Sequence, residues 1–329
     1  MKTNVFITID TENSIGGAFE NQALKPVGRD KRIYGRVKGR EYGIPLIMDI
    51  ADSYGVPLTF FVEVLNKYYF GEEETCEVCR YILDRGHDIQ LHLHPNFLNF
   101  KETDPALRRY GDNMSSYDLA TQSALIAEGK ELLTRYCGWS PVAFRAGNYG
   151  ADCNTLKALK SNGLYIDSSY NAAFPRQRNR ITKDVLNDVI ELEGVREFPI
   201  TNFIEAIPFR KNRFKPLDLN GVSYGEMRAV LERAHVDQKP KNVTFILHSF
   251  SFIEAYDVQY QSCRPRKYVV ERFESLCRFL KENSNIFWVR NFNEFAKNSN
   301  LNISVEDSKS FCSVSTIDSV LRVIENKFK

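Results

Sequence analysis

The sequence predicts an α/β barrel, and three observations predict it. Apolar strand-like runs alternate with helical patterns along most of the 329 residues. The connections between them are short, which argues for a largely parallel sheet, closed or nearly so, with helices outside. Three of the runs also end in carboxylates or imidazoles. Val5-Phe6-Ile7-Thr8-Ile9 leads into Asp10-Thr11-Glu12, Asp88-Ile89-Gln90-Leu91 into His92-Leu93-His94, and Val243-Thr244-Phe245-Ile246-Leu247 into His248. Polar chemistry gathered where strands end is the layout of a barrel enzyme.

After the first strand, residues 45–51 have helical spacing and stop near Gly55, and 57–62 read as a buried strand. A helix over 76–84 precedes Gly86 and the His92 strand. Ser116 is placed to cap a long helix over 117–135, with Leu119, Leu125, Ile126, Leu132 and Leu133 on its apolar side. A strand at 142–144, a helix at 154–160 and a strand at 164–166 follow. An irregular basic section over 174–215 contains short strands at 189–192 and 197–200. A helix over 224–234, the His248 strand, a helix over 268–282 and a strand at 286–289 complete the pattern. The expected organisation is one barrel domain over 1–299 and a tail over 300–329. The tail reads as a loop and one amphipathic helix with Ile317, Val320, Leu321 and Ile324 on one face; covering the chain's own core is the commoner use of such a face, and a dimer contact is the alternative.

Composition narrows the class. At 43% hydrophobic and 26% charged, the chain has enough apolar material for a sizeable core. No segment approaches the roughly 18 unbroken apolar residues of a membrane span, and no secretory leader pattern opens the chain, so a cytoplasmic location is expected. The seven scattered cysteines resemble thiols of a reducing compartment rather than a disulfide framework. Cys76 and Cys79 form a CxxC without a matching second pair, in a stretch that reads as helix. Basic loops raise nucleic-acid binding, but no nucleic-acid motif accompanies them.

A strand places residues i and i+2 on one side. Asp10 and Glu12 therefore face one point, and so do His92 and His94. Carboxylates and imidazoles from different strand ends suit zinc or a similar divalent ion with an open position for water. A lone HxH is more often a coincidence of a buried strand; joined to Asp-x-Glu and a third strand-end histidine, the weighing reverses. His87 and His235 read as structural or surface residues.

The order Asp-x-Glu, Gly86-His87-Asp88-Ile89-Gln90-Leu91-His92-Leu93-His94-Pro95, Phe144-Arg145-Ala146-Gly147-Asn148-Tyr149, Asp167-Ser168-Ser169 and Leu247-His248-Ser249 resembles the polysaccharide deacetylase superfamily, the NodB-homology or carbohydrate esterase family 4 group. The resemblance runs over about residues 2–297 and implies a distorted (β/α)7 barrel and a metal-dependent, zinc-type amide hydrolase. Carried over residue by residue, it makes Asp10 the general base, Glu12 a metal ligand, His92 the first metal histidine and Arg145 the holder of the base. Tyr149 supplies a backbone N–H to the oxyanion, His248 is the general acid, and Asp167 orients His248 or Arg145. Two departures stand out. The family's His-x-x-x-His spacing would put the second imidazole at Asn96, whereas this chain offers His94; Asn96 stays open as a weak ligand. Arg-Ala-Gly-Asn-Tyr also replaces the commoner Arg-x-Pro-Tyr.

Several loops expected at the same rim are basic, with Arg29, Arg32, Arg36, Arg176, Arg178 and Arg266 as candidate substrate contacts for phosphate or carboxylate. An ordinary solvated surface is an equal reading. The resemblance, with the cytoplasmic expectation, points to an N-acyl sugar bearing phosphate, in lipopolysaccharide or other surface-glycan synthesis. The rivals are an allantoinase-like hydrolase of a small cyclic amide and a catalytically silent glycan-binding barrel. No nucleic acid and no membrane span are expected, peripheral membrane association is left open, and the protein is expected as a monomer or homodimer.

Overall fold

The computed structural model describes residues 1–174, 179–207, 211–298 and 307–328. Its centre is the strand β1 (Thr3–Thr11), flanked in parallel by β2 (Thr59–Glu63) and by a late strand, β7 (Asn242–His248). The sheet continues through β3 (Asp88–Leu93), β4 (Ala143–Ala146), β5 (Ile166–Asp167) and β6 (Val195–Glu197), each parallel to the last. Ile190–Leu192 pairs antiparallel with β6, and Phe287–Val289 pairs with the start of β1.

The backbone past β6 draws the sheet back towards β7. Thr201 N donates to Thr244 O at 3.1 Å, and Thr244 N donates to Thr201 Oγ1 at 2.9 Å. Leu217 N bonds Thr201 O and Ile246 N bonds Leu217 O, so two irregular segments complete the distorted barrel.

Alternation along the strands sorts side chains into two compartments, as a period of two requires. Val5, Ile7 and Ile9 of β1, Phe60 and Val62 of β2, and Ile89, Leu91 and Leu93 of β3 join the core beneath the outer helices. Phe6 and Phe61 point the other way, into the barrel, with Phe198, Phe292 and Phe295. Phe6 stacks on Phe292 at 5.1 Å between centroids, and Phe198 meets Phe295 edge-on at 5.0 Å. This aromatic plug fills one end of the barrel. The inward positions at the other end are Asp10, Glu63, His92 and Arg145.

The outer layer includes α1 (Ile44–Tyr54), α2 (Glu72–Leu83), α3 (Leu119–Cys137), α4 (Cys153–Ser161), α5 (Tyr224–Asp237) and α6 (Lys267–Glu282). The cap of α3 is Asp118, whose carboxylate accepts from Thr121 N, and not Ser116. Asp outranks a more distant serine because its side chain reaches the third backbone N–H of the helix. Cys79 lies buried on α2 against Cys137, and all seven cysteines are free thiols. The short helix α7 (Phe292–Asn298) carries Phe292 and Phe295 of the plug, and its first N–H groups bond the Asp88 carboxylate. No helix of the described residues is long and apolar enough to cross a membrane.

Of the two uses open to the apolar face of the tail helix, covering the chain's own core is not the one found. Helix α8 (Thr316–Phe328) docks through Ser319 and Arg322, which are buried, while Ile317, Val320, Leu321 and Ile324 are 72%, 37%, 50% and 48% exposed. Arg322 Nε lies 3.1 Å from Glu226 Oε1, its Nη2 contacts Glu205, and Arg272 pairs with Glu325 at 2.7 Å. Two buried acids on the barrel need a cation, and this decides which face of the helix turns inward.

Candidate active site

Strand register brings the predicted residues together. Asp10 and His248 are direct Cα partners across β1 and β7, and His92 is the partner of Glu63 on one side and Arg145 on the other. They open onto a cleft of about 150 Å³ lined by Asp10, Glu12, His92, His94, Tyr149, Asp218 and His248, among others. A larger cavity of about 370 Å³ lies between Val142, Tyr165 and Arg196, near the opposite ends of the strands. It contains none of the imidazoles, so volume does not identify the chemical centre.

Arg145 is completely buried and holds Asp10, with Nη1 2.6 Å from Oδ1. Its Nε and Nη2 donate to Ser168 O and Ser168 Oγ, both at 2.9 Å, and its guanidinium lies 4.2 Å from the Phe61 ring centre. Asp167 was expected to orient either His248 or Arg145. Asp167 instead accepts from Ser169 Oγ at 2.6 Å and faces Glu197, its partner on β6. Burial pushes both carboxyls up, and for Glu197 the neighbouring Asp167 adds to it.

Glu12, His92 and His94 converge. Glu12 Oε2 lies 2.7 Å from His94 Nε2 and 3.3 Å from His92 Nε2, and one donor atom from each of the three residues falls within 4.8 Å of the others. The other oxygen of Glu12 takes Arg32 Nη2 at 2.8 Å, and that guanidinium stacks 3.4 Å from the Phe250 ring centre. His92 Nδ1 sits 2.8 Å from Arg145 O, and His94 Nδ1 sits 2.9 Å from Asp112 Oδ1. Each acceptor fixes its ring so that Nε2 faces the shared point.

Burial would raise the Glu12 carboxyl, but the His94 charge, hydrogen bonds from both histidines and Arg32 hold it well below the usual carboxylate range. Burial likewise opposes a charged His94, yet Asp112 and Glu12 together hold that imidazole well above its ordinary value. A proton between Nε2 and Oε2 marks a place where a divalent cation would fit, replacing it as metal sites do. Two imidazoles and one carboxylate are a donor set suited to zinc. Burial raises Glu63, beneath this point, to about 7, although Leu65 N and Asn66 N bond its oxygens at 2.7 and 2.8 Å.

Asn96 does not line the cleft, and its buried Oδ1 has no hydrogen-bond partner among the described residues. Tyr149 does line it, with Asn148 and Tyr149 in succession at φ 55° and 57°, a left-handed pair rare for residues with side chains. Tyr149 O accepts from Asn179 Nδ2 at 3.0 Å, and burial pushes the Tyr149 hydroxyl up.

The expected basic rim is largely absent from the described cleft. Arg29 is tied to Glu77 at 2.6 Å, Arg36 to Asp30 and Glu41, and Arg266 to Asn220 and Tyr268. Each is satisfied by carboxylates or polar groups near its own loop. Arg32 alone of the described candidates reaches the centre, and it does so by holding Glu12. Arg176 and Arg178 lie outside the described residues. Asp112, Ser168 and Asp218 are site residues that the sequence did not single out for these roles. Ser168 sits inside a quoted motif, whereas Asp112 and Asp218 lie in irregular segments with no period to mark them.

No family model matches the chain, and no curated protein matches it either. Solved structures do. An allantoinase, Puue, aligns over 89% of this chain and 89% of its own at 13% identity and a TM-score of 0.50. A protein assigned as a polysaccharide deacetylase from Mycobacterium smegmatis aligns over 90% of each chain at 18% identity and a TM-score of 0.49. What the chain shares with the allantoinase is the fold, a distorted α/β barrel. A 4-α-glucanotransferase from Thermococcus litoralis shares the architecture at a TM-score of 0.52 and 12% identity, over 91% of this chain and 40% of the longer enzyme.

Proposed function

We propose that the protein is a metal-dependent amide hydrolase, and within that class an N-deacetylase of an acylated sugar. The observation that carries this reading is the convergence of Glu12, His92 and His94 beside an Arg145-held Asp10 and beside His248 in one cleft. Glu12, His92 and His94 would hold the ion. A bound divalent ion supplies Lewis acidity to the amide carbonyl and to water.

The chain's own groups divide the remaining work. Arg145 engages Asp10 through Oδ1, which leaves Oδ2 to take a proton as water adds to the carbonyl carbon. His248, one strand away, gives a proton to the nitrogen as the C–N bond breaks. The backbone N–H of Tyr149, turned by the left-handed pair, is the proposed donor to the oxyanion.

An N-acyl sugar is the substrate class preferred from the motif resemblance; an anionic group on it finds no free partner in Arg29, Arg36 or Arg266. A small cyclic amide is the second reading, favoured by the modest volume of the cleft and by the allantoinase likeness. Zinc-loaded protein incubated with N-acetyl sugars should release acetate, and Asp10→Asn or His248→Ala should slow this about 10²–10⁴-fold. Hydrolysis of cyclic ureides with no acetate release would select the second reading. Turnover unchanged in Asp10→Asn would overturn both.

A further inference from the structure

His94 can occupy its position only because residue 147 has no side chain. A Cβ there would lie 2.5 Å from His94 Nδ1 and 2.6 Å from its Cε1, well inside van der Waals contact. The ring that fills this space is also held at Nδ1, which lies 2.9 and 3.0 Å from the two oxygens of Asp112, and Asn148 Nδ2 donates to Oδ2 of the same carboxylate at 2.5 Å. Asp112 comes from an irregular loop eighteen residues further along the chain. An imidazole that donates through Nδ1 to a fixed acceptor presents the Nε2 lone pair to a cation, and such outer partners raise its basicity.

We propose that Asp112 is the positioning residue that makes His94 a metal ligand, with Gly147 providing the room and Asn148 holding Asp112. The unusual His-x-His spacing and the unusual Arg-Ala-Gly-Asn-Tyr segment are then one device rather than two separate departures. His94 supplies the imidazole that Asn96 lacks, and Gly147 and Asn148 are what that substitution requires of the neighbouring strand end. This inference rests on the reading of Glu12, His92 and His94 as a divalent-cation site. Asp112 touches no reacting atom in this scheme and acts through His94.

The test is Zn²⁺ affinity, measured by chelator competition on the full metal-stripped chain, with ¹⁵N-histidine NMR on the zinc-loaded form. Asp112→Ala and Gly147→Ala should each weaken Zn²⁺ binding about 10–100-fold, the range for lost outer-shell partners. Asp112→Asn, which keeps an acceptor, should recover part of that loss. Asn148→Gly, which tolerates the positive φ, should cause a smaller loss. In the wild type the NMR should show Nε2 bound and Nδ1 protonated for both histidines, with the His94 Nδ1 proton changed only in the variants.

Folded Asp112→Ala that binds Zn²⁺ as tightly as wild type, while His94→Ala does not, overturns the role of Asp112 and leaves the metal site standing. Wild-type protein that binds no Zn²⁺ overturns both. If Asp112→Ala does not fold, Asn148→Gly decides, and wild-type affinity there overturns the proposal.

Discussion

Arg145→Met removes the cation around which the base is built, and the cost can be worked from its partners. Asp10 Oδ1 and Ser168 O each lose a donor, at 2.6 and 2.9 Å, inside a barrel where Arg145 itself has no exposure. Breaking a buried ion pair by removing one partner costs about 3–5 kcal/mol. The stranded Ser168 carbonyl adds about 1 kcal/mol or more, offset in part by water reaching Asp10 from the cleft. A loss of about 4 kcal/mol is expected, which at about 2–3 kcal/mol per molar lowers the urea midpoint by about 1.3–2 M. Asp10→Asn alone keeps an acceptor for Arg145 and should cost less. The double variant Asp10→Asn/Arg145→Met should therefore be more stable than the sum of the single effects implies, by about 2 kcal/mol or more. Urea titrations of the four metal-free proteins, followed by circular dichroism, measure this. A loss below about 1 kcal/mol in Arg145→Met, or additivity within about 0.5 kcal/mol, would refute the buried clamp.

Glu63 should make stability depend on pH. Its folded-state pKa of about 7 lies above the ordinary 4.5, so the folded protein holds the extra proton between those values. Stability from this group is then full below about pH 4.5 and falls as pH rises through 7, by at most about 3 kcal/mol. Subtracting the profile of metal-free Glu63→Gln from that of wild type should isolate this slope, and parallel profiles would contradict it. Arg322→Met should leave Glu226 without its cation and Glu205 with only Arg213 and Lys215, cost about 3–5 kcal/mol, and release α8 to proteolysis ahead of the barrel. Cleavage at the wild-type rate in that segment would show that α8 is held by something else.

The barrel was legible because its signal is local and repeated. Period-two alternation in Val5–Thr11 and Asp88–His94 assigns Asp10, Glu12, His92 and His94 to one side of their strands before any partner is known. Parallel pairing then follows from short βα connections, and with it the shared mouth for Asp10, His92 and His248. Even the CxxC resolves locally, since helical spacing buries Cys79 and leaves Cys76 partly exposed.

Choice among partners was decided only in three dimensions. Ser168 rather than Asp167 grips Arg145, although the two are neighbours in sequence, because adjacent strand residues face opposite compartments. Long cationic side chains follow the partners their own surroundings supply, so Arg29 and Arg36 are held by carboxylates, Arg266 by Asn220 and Tyr268, and Arg32 alone by Glu12. The amphipathic pattern of α8 fixed which residues share a face but not which face docks; two buried acids on the barrel decided that. Asp112 carries no sequence signal at all, since a loop has no period and its reach to His94 depends on where the chain returns. What the sequence by itself determined is therefore the barrel and the inward parity of its chemical residues, which depend on local geometry. The tertiary structure alone decided which charges meet, because that depends on distances between segments far apart in the chain.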